Sequence, residues 1–288
     1  MSNRHICIPE LTLKKFNNDG KNNEPLCYYD IQHKNICKSS HTCFLTQQDY
    51  YSQNVDKKFS DMIETKMGSI YARIEIALGK KEILPKTIIN LQETTEKIIA
   101  IQSLRNPDYT RKYTLLHFTR LSLKGRKGAR KLANIIFEND DYFEEYLNIY
   151  YVANCLKTYR SMILFNATDR DFFLPTTHFY IVPYLAGYGS NLFVIIMSPK
   201  IAWILMKADD YKRNINDKNG EIIPRLTSPK EVVIMNYLAY RFESKYGTGK
   251  IVSTQEELNQ FNLNSYNEFI RLVENEHSEL FIETNDSQ

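Results

Sequence analysis

The sequence predicts a single α+β domain with a mainly helical core, short N-terminal strands and a small antiparallel sheet. In the middle of the chain, apolar residues recur every three to four positions, as in amphipathic helices. Runs dense in β-branched and aromatic residues follow, and these favour strands. The 288 residues, 43% of them hydrophobic, are enough for one substantial core. No internal repeat or low-complexity linker divides them, so residues 1–288 are predicted to form one domain.

Residues 1–56 are predicted to be the strand-rich part of the domain. Short apolar and aromatic runs alternate there with Asn, Asp, Gly and Lys, and Asn18-Asp19-Gly20 is the clearest turn signal. We therefore expect short strands joined by turns.

Residues 57–165 are predicted to be the helical part. Apolar residues from Phe59 to Leu78 fall on one face of a helix. Further helices are predicted over about 85–105, 109–137 and 140–164, the last of them rich in aromatic residues.

The β part is predicted over residues 166–210. Phe172–Pro183 and Leu192–Met206 are rich in Ile, Val, Phe and Tyr, which favours antiparallel strands. C-terminal helices are expected over 229–283, because Pro229 suits the first turn of a helix.

Composition and missing motifs argue against several common classes of enzyme. The formal net charge is only +3, and the 10 glycines leave few tight glycine loops. The glycine-rich nucleotide-binding motifs, the hydrolase nucleophile elbow and the zinc-protease His-Glu-x-x-His motif do not occur in the sequence. The first 16 residues lack an apolar run of signal-peptide length, and the 5 cysteines are an odd number. We therefore expect a cytoplasmic protein with free thiols and no membrane association.

The segment from Tyr109 to Phe137 is strongly basic. It contains eight Lys or Arg residues and no Asp or Glu. In a helix, four of these cations and His117 fall within about 80° of one face, with Tyr113 on the same stripe. Cations can bind phosphates with release of counterions, and a ring can stack on a base. The alternative interpretation is a solvated face balanced by the acidic run Glu138–Glu145. The residues predicted to bind nucleic acid are Arg120, Lys124, Arg126, Lys127, Arg130 and Lys131.

A series of short motifs occurs along the chain over about residues 4–250. They include His5, Pro9 and Leu13-Lys14-Lys15-Phe16 at the start, then Gln48-Asp49-Tyr50-Tyr51, Ile63-Glu64, Leu104-Arg105-Asn106-Pro107, Ser198-Pro199 and Asn236. This series resembles a large bacterial family of uncharacterised domains that opens with His-x-x-Pro and Leu-x-x-Phe. Two departures are that three residues separate His5 from Pro9, and that Thr177 stands where the family usually has an Asp. Because some members look like single-gene antiphage defence proteins, the resemblance implies a toxic or growth-arresting effector.

Three family-like motifs supply the candidate catalytic residues His5, Glu64 and Arg105. Histidine can act as a general acid or base near neutral pH, and arginine can bind phosphate through two hydrogen bonds. Together with a carboxylate, this pair would be sufficient for a metal-independent ribonuclease. The alternative is that His5 and Arg105 are buried polar anchors between the N-terminal strands and the helices.

Two further groups of residues contain side chains of the kinds that bind metals. The series Cys27, His33, Cys37, His41 and Cys43 could supply four ligands to zinc, but it lacks the close Cys-x2-4-Cys spacing of zinc sites. Asp169, Asp171 and His178 flank a predicted strand, where Asp-Arg-Asp is more typical of a turn. We therefore predict no metal and no cofactor.

The sequence favours an antiphage effector of the abortive-infection type that acts on nucleic acid or a nucleotide. Whether it is an enzyme is left open, and a nuclease is the enzyme class considered. The alternative is a non-enzymatic sensor or interaction protein of bacterial defence, with a phage or host protein as its partner.

Overall fold

The structure is a computed structural model of the chain. The described residues are 4–6, 8–17, 25–40, 44, 46–48, 57, 61, 64–80, 91–105, 135–136, 138–153, 158–182, 192–207, 225–226 and 228–276.

The described ranges contain both helices and strands, largely in separate runs, and the α+β class is confirmed. In order they are β1 (Arg4–Ile6), α1 (Glu10–Lys14), β2 (Leu26–Asp30), β3 (Asn35–Ser39), β4 (Thr46–Gln48), α2 (Thr65–Lys80), α3 (Leu91–Arg105), α4 (Asp140–Ala153), β5 (Tyr159–Asn166), β6 (Leu174–Pro175), β7 (Phe179–Val182), β8 (Leu192–Ser198), β9 (Ile201–Lys207), β10 (Arg225–Leu226), α5 (Pro229–Tyr246), β11 (Lys250–Val252), α6 (Gln255–Gln260) and α7 (Leu263–Glu276). None of the helices in these ranges is both long and apolar enough to cross a membrane.

A five-stranded sheet has the order β10-β5-β9-β8-β7. Its strand pairs are antiparallel except for the short parallel pair of β10 and β5. Nearly every residue of β8 and β9 is buried, so both faces of the sheet are covered. The strands predicted from the two apolar runs after residue 171 are confirmed by β7, β8 and β9.

The helix predicted over about 140–164 ends earlier than expected. Helix α4 stops at Ala153, and Tyr159–Asn166 form strand β5 instead. Every residue from Tyr159 to Phe165 pairs with a residue of β9, so tertiary pairing overrides the helical pattern read from the sequence. The predicted end of a helix at Arg105 agrees with α3.

A four-stranded antiparallel sheet has the order β3-β2-β11-β6. It joins the N-terminal hairpin of β2 and β3 to β11, which lies between two C-terminal helices. A separate pair, β1 and β4, adds two further strands within residues 1–56, where short strands were predicted. The prediction is wrong for the apolar run that begins at Leu11, because residues 10–14 form helix α1.

Helices connect the two larger sheets. Helix α5 packs against β6, β7 and β11 and therefore contacts both of them. On the N-terminal side, α1 packs against β8, and its Thr12 hydroxyl lies 3.3 Å from His178 Nε2 just before β7. Lys15, the residue that follows α1, has its Nζ 3.0 Å from Glu75 Oε1 of α2, so the end of α1 is also tied to that helix.

Candidate functional site

The predicted catalytic residues lie on three separate elements. His5 pairs with Gln47 through the backbone of β1 and β4, and Arg105 is the last residue of α3. Their side chains lie outside the described part of the structure. Glu64 is half-buried immediately before α2. Convergence of the three therefore stays a prediction, as does the basic segment, all six of whose assigned residues lie outside the described ranges.

The cysteine and histidine series of the N-terminal hairpin is divided between two faces of a sheet. Tyr28 pairs with Cys37, so the neighbouring Cys27 points to the opposite face from Cys37. Cys27 is buried beside Gln255, and His33 is exposed at the hairpin turn next to Asp30. One ion could not contact both thiols in this arrangement. No cluster of three or more His, Cys, Asp or Glu side chains suitable for a metal occurs within the described ranges.

A partly buried polar cluster joins the loop before β6 to helices α5 and α6, and we call it the Asn236 cluster. It consists of Arg170, Asp171, Lys200, Asn236 and Glu257. The Asn236 amide accepts a 2.8 Å hydrogen bond from the Phe173 N–H and donates to the Asp171 carbonyl (2.8 Å) and to Glu257 Oε1 (3.1 Å). The Asn236 side chain thereby satisfies backbone groups of an irregular loop that has no neighbouring strand to pair with them.

Glu257 and Arg170 form a two-contact ion pair inside this cluster. Arg170 donates from Nε to Glu257 Oε2 at 2.7 Å and from a terminal nitrogen to Oε1 at 2.6 Å. Glu257 is 3% exposed, and its hydrogen bonds raise the pKa of Arg170 against the opposing effect of burial. The Asp171 N–H donates to the same carboxylate. This geometry gives strong, directional hydrogen bonds.

Lys200 fixes the other end of the loop. Its ammonium donates to the carbonyls of Thr168 (2.8 Å) and Arg170 (2.6 Å) and lies 2.8 Å from Asp171 Oδ1. The second Asp171 oxygen accepts from the Thr254 hydroxyl at 2.6 Å. Three acceptors match the three donors of the ammonium, so this lysine has no donor left for a ligand. The Asp-Arg-Asp segment therefore acts as a structural turn here.

Glu243, in the last turns of α5, is a fully buried carboxylate. Its Oε1 accepts from the Thr176 hydroxyl (2.5 Å), the Gly249 N–H (2.9 Å) and the Lys250 N–H (3.2 Å), and its Oε2 accepts from the Thr176 N–H (2.8 Å). Burial raises the pKa of Glu243, while these four donors act in the opposite direction. The carboxylate therefore holds the turn after β6 and the start of β11 in place.

Gly247 provides the space that Glu243 needs. A Cβ atom at this position would lie about 2.0 Å from the carboxyl oxygens. The requirement is steric, because the backbone of Gly247 is extended, with φ of −95°.

His178 is completely buried in the turn that Glu243 supports. Its φ of +66° lies in the left-handed region, which is unusual for a residue other than glycine. The turn is closed by a 2.9 Å hydrogen bond from the His178 N–H to the Pro175 carbonyl. His178 and Asp171 thus belong to different contacts, and they do not form a shared acid-base site.

Sequence reasoning missed the roles of Glu243, Glu257 and Lys200. Asn236 was noted only as a family-like residue. A signal for Asn236 and Glu243 exists on α5, where Val232, Asn236 and Glu243 recur at positions that fall on one helix face. Polar residues on an otherwise apolar stripe indicate buried hydrogen-bonding positions.

No protein-family model, curated protein or solved structure matches this chain.

Proposed function

We propose that the protein is an effector of bacterial antiphage defence that binds nucleic acid through its basic segment and arrests growth. The observation that carries the proposal is the run of eight cations without an acidic residue over 109–137. Its affinity would come mainly from phosphate contacts, which any nucleic acid offers. The family-like motifs support the assignment to defence, and the proposal includes a cytoplasmic location.

The proposal includes a mainly helical middle region, since the basic stripe forms only if 109–131 is helical. In the competing interpretation, the basic segment is a solvated helix face whose charge is balanced by the acidic run after residue 137. Asp140 and Asp141, however, lie exposed in the first turn of α4. Negative charge at a helix N-terminus is favourable on its own account. The position of these two aspartates therefore has a local explanation that does not require the basic segment.

Charge reversal of four residues in the basic segment should abolish binding to single-stranded RNA and duplex DNA. The variant replaces Arg126, Lys127, Arg130 and Lys131 by Glu, which converts phosphate attraction into repulsion. Parent binding should also weaken steeply between roughly 50 and 300 mM salt. Fluorescence anisotropy with labelled oligonucleotides measures both effects.

The matched control makes the same change in charge at four exposed residues elsewhere and should bind like the parent. These residues are Lys38, Lys66, Arg73 and Lys230. Parent binding that is absent or insensitive to salt would contradict the proposal. Equal loss of binding in both variants would show a nonspecific effect of net charge.

We further propose a metal-independent nuclease activity for the residues His5, Glu64 and Arg105. Helices α2 and α3 contact each other and follow one another in the chain. An antiparallel arrangement, which is usual for such neighbours, would bring Glu64 and Arg105 to the same end of the pair. His5 would supply the acid-base group and Arg105 the phosphate contact.

Replacing His5 or Arg105 by Ala should remove growth arrest and phage protection while the melting temperature stays within a few degrees of the parent. A buried polar anchor would instead lose about 1–3 kcal/mol through its unsatisfied partner. Sequencing of total RNA after induction tests for cleaved ends. Variants that stay folded and active would place the site elsewhere, and growth arrest with intact RNA would support the non-enzymatic sensor.

A further inference from the structure

Strand β3 forms one edge of the four-stranded sheet. It pairs with β2 on one side, and no other strand of the described ranges pairs with it. Its residues are exposed or half-buried, whereas Ile251 and Val252 of the interior strand β11 are fully buried. An edge strand of this kind offers unpaired backbone N–H and C=O groups to another strand.

The hydrogen bonds of β2 show which backbone groups of β3 point outward. The Ile31 N–H donates to the Gly249 carbonyl (2.9 Å), and the Ser253 N–H donates to the Cys27 carbonyl (3.4 Å). Odd-numbered residues at β2 therefore bond toward β11. Because the direction alternates along an antiparallel strand, the even-numbered residues of β2 bond toward β3.

Ile36 and Lys38 are the residues of β3 whose N–H and C=O groups point away from the sheet. Cys37 pairs with Tyr28, an even-numbered residue of β2, so the backbone of Cys37 bonds inward. The direction reverses at each neighbouring residue. The open edge therefore presents the backbone groups of Ile36 and Lys38.

The groups known to cover this sheet lie over β2 and β11. On one face, the Phe44 ring lies 5.0 Å from the Tyr28 ring, and its centroid is 5.8 Å from the Lys250 ammonium. On the other face, Cys27 of β2 contacts Gln255 of α6. Two copies joined through β3 would have their β2 strands about 14 Å apart, which is three strand spacings. Packed helix axes need only about 8–10 Å, so α6 does not block this approach.

Charge selects one register for the pairing of β3 with a second copy of itself. Hydrogen-bonded pairs must join outward residues, so a two-fold axis can pass through Ile36, Cys37 or Lys38. An axis through Lys38 places two lysines opposite each other, and an axis through Ile36 places Lys38 opposite Lys34. Like charges in such positions are destabilising. The axis through Cys37 avoids both contacts and pairs Ile36 with Lys38 of the other copy.

We propose that two copies of the protein associate through antiparallel pairing of β3 about an axis at Cys37. Ile36 and Lys38 of the two copies exchange backbone hydrogen bonds, and the two four-stranded sheets become continuous. The half-buried Ile36 side chain packs against the alkyl stem of the opposing Lys38. Because the strand is short, we expect a weak dimer with a dissociation constant of about 1–100 µM. The inference is independent of the proposed function, since β3 carries none of the catalytic or nucleic-acid-binding candidates.

Sedimentation velocity of the full-length protein under reducing conditions tests the association. The average mass should rise toward twice that of the monomer between roughly 1 and 300 µM. Lys38→Pro removes an outward N–H, and proline is tolerated on an edge strand where the N–H faces away from the sheet. It should weaken association by about tenfold or more. Lys38→Thr keeps the N–H and is the matched control, which should associate like the parent.

Cysteine cross-linking tests the register. The axis places the two Cys37 residues opposite each other in a non-hydrogen-bonded pair, with Cα atoms about 4.5 Å apart, which is within disulfide range. Oxidation with diamide should therefore give a covalent dimer of the parent but not of Cys37→Ser. In the Cys37→Ser background, Asn35→Cys and Ser39→Cys should cross-link only when the two variants are mixed, because each residue lies opposite the other.

A parent that stays monomeric at roughly 300 µM would overturn the proposal. Association that is equally strong in Lys38→Pro, or cross-linking that does not require Cys37, would place the contact elsewhere and would also overturn it. If the melting temperature shows that Lys38→Pro is unfolded, the mixture of Asn35→Cys and Ser39→Cys decides. Failure of that mixture to cross-link would then refute the pairing of β3.

Discussion

Replacing Glu243 by Ala should lower the free energy of unfolding by about 3–5 kcal/mol. The substitution removes the acceptor for the backbone N–H groups of Thr176, Gly249 and Lys250, and each unsatisfied buried donor is costly. It also leaves a cavity at a fully buried position. Urea denaturation followed by circular dichroism measures the loss. Ser244→Ala, at an exposed neighbour on the same helix, should change stability by less than about 0.5 kcal/mol.

The Glu243→Gln variant separates the charge of this residue from its hydrogen bonds. Its oxygen can still accept the three bonds made to Oε1, while its amide would face the Thr176 N–H, at a cost of about 1–3 kcal/mol. Burial raises the pKa of Glu243 in the folded state above the ordinary value of 4.5, so the folded protein binds a proton there more tightly than the unfolded chain does. The resulting contribution to the free energy of unfolding is fully present below pH 4.5 and is lost as pH rises through the folded-state pKa. The stability of the parent relative to the variant should therefore fall over this range. A difference independent of pH, or an unchanged urea midpoint for Glu243→Ala, would contradict this role.

Replacing Glu257 by Ala should cost about 3–5 kcal/mol, because it breaks a buried ion pair and leaves Arg170 without its carboxylate. The Asn236 amide and the Asp171 N–H lose an acceptor at the same time. Arg170→Ala should cost about 3 kcal/mol, toward the lower end of that range, since Arg170 is 21% exposed. Thermal and urea unfolding give the two values.

The ion pair between Lys15 and Glu75 provides the control for this effect. It has a similar distance of 3.0 Å, but its side chains are 30% and 47% exposed. Solvent screens such a pair, so Glu75→Ala should cost about 1 kcal/mol or less. Equal losses for Glu75→Ala and Glu257→Ala would show that the Asn236 cluster contributes no special stability.

The strands that were best predicted from the sequence are those whose own composition favours a strand and whose pairing partners are close in the chain. The Ile-, Val- and Phe-rich runs that form β7, β8 and β9 are close in sequence and pair with each other, so composition alone indicates them. Strand β5 follows an aromatic-rich helix without a strong breaker, and only its pairing with β9 distinguishes it from more helix. The short strand β11 has its partner β2 at the other end of the sequence, which no local pattern reveals.

The polar residues of the site were less predictable than the strands. The basic segment and the catalytic candidates were chosen because their chemistry is visible in the sequence, independently of burial. Glu257 looks like an ordinary solvated helix residue until the fold buries it, and Glu243 is distinguished only by its place on the apolar face of α5. Their partners are mainly backbone N–H groups and one arginine from distant segments, so their function depends on tertiary structure.

The position of β11 determines when the protein can finish folding on the ribosome. This strand is hydrogen-bonded to β2 on one side and β6 on the other, so it is an interior strand of its sheet. The nascent hairpin of β2 and β3 must wait, with one edge unpaired, until the chain beyond Val252 has been translated and released from the exit tunnel. An open edge is a site for mispairing with other chains, so this interval exposes the newly made protein to aggregation and to chaperones. Because β11 pairs with β2, this sheet can be completed only after residue 252 has been translated.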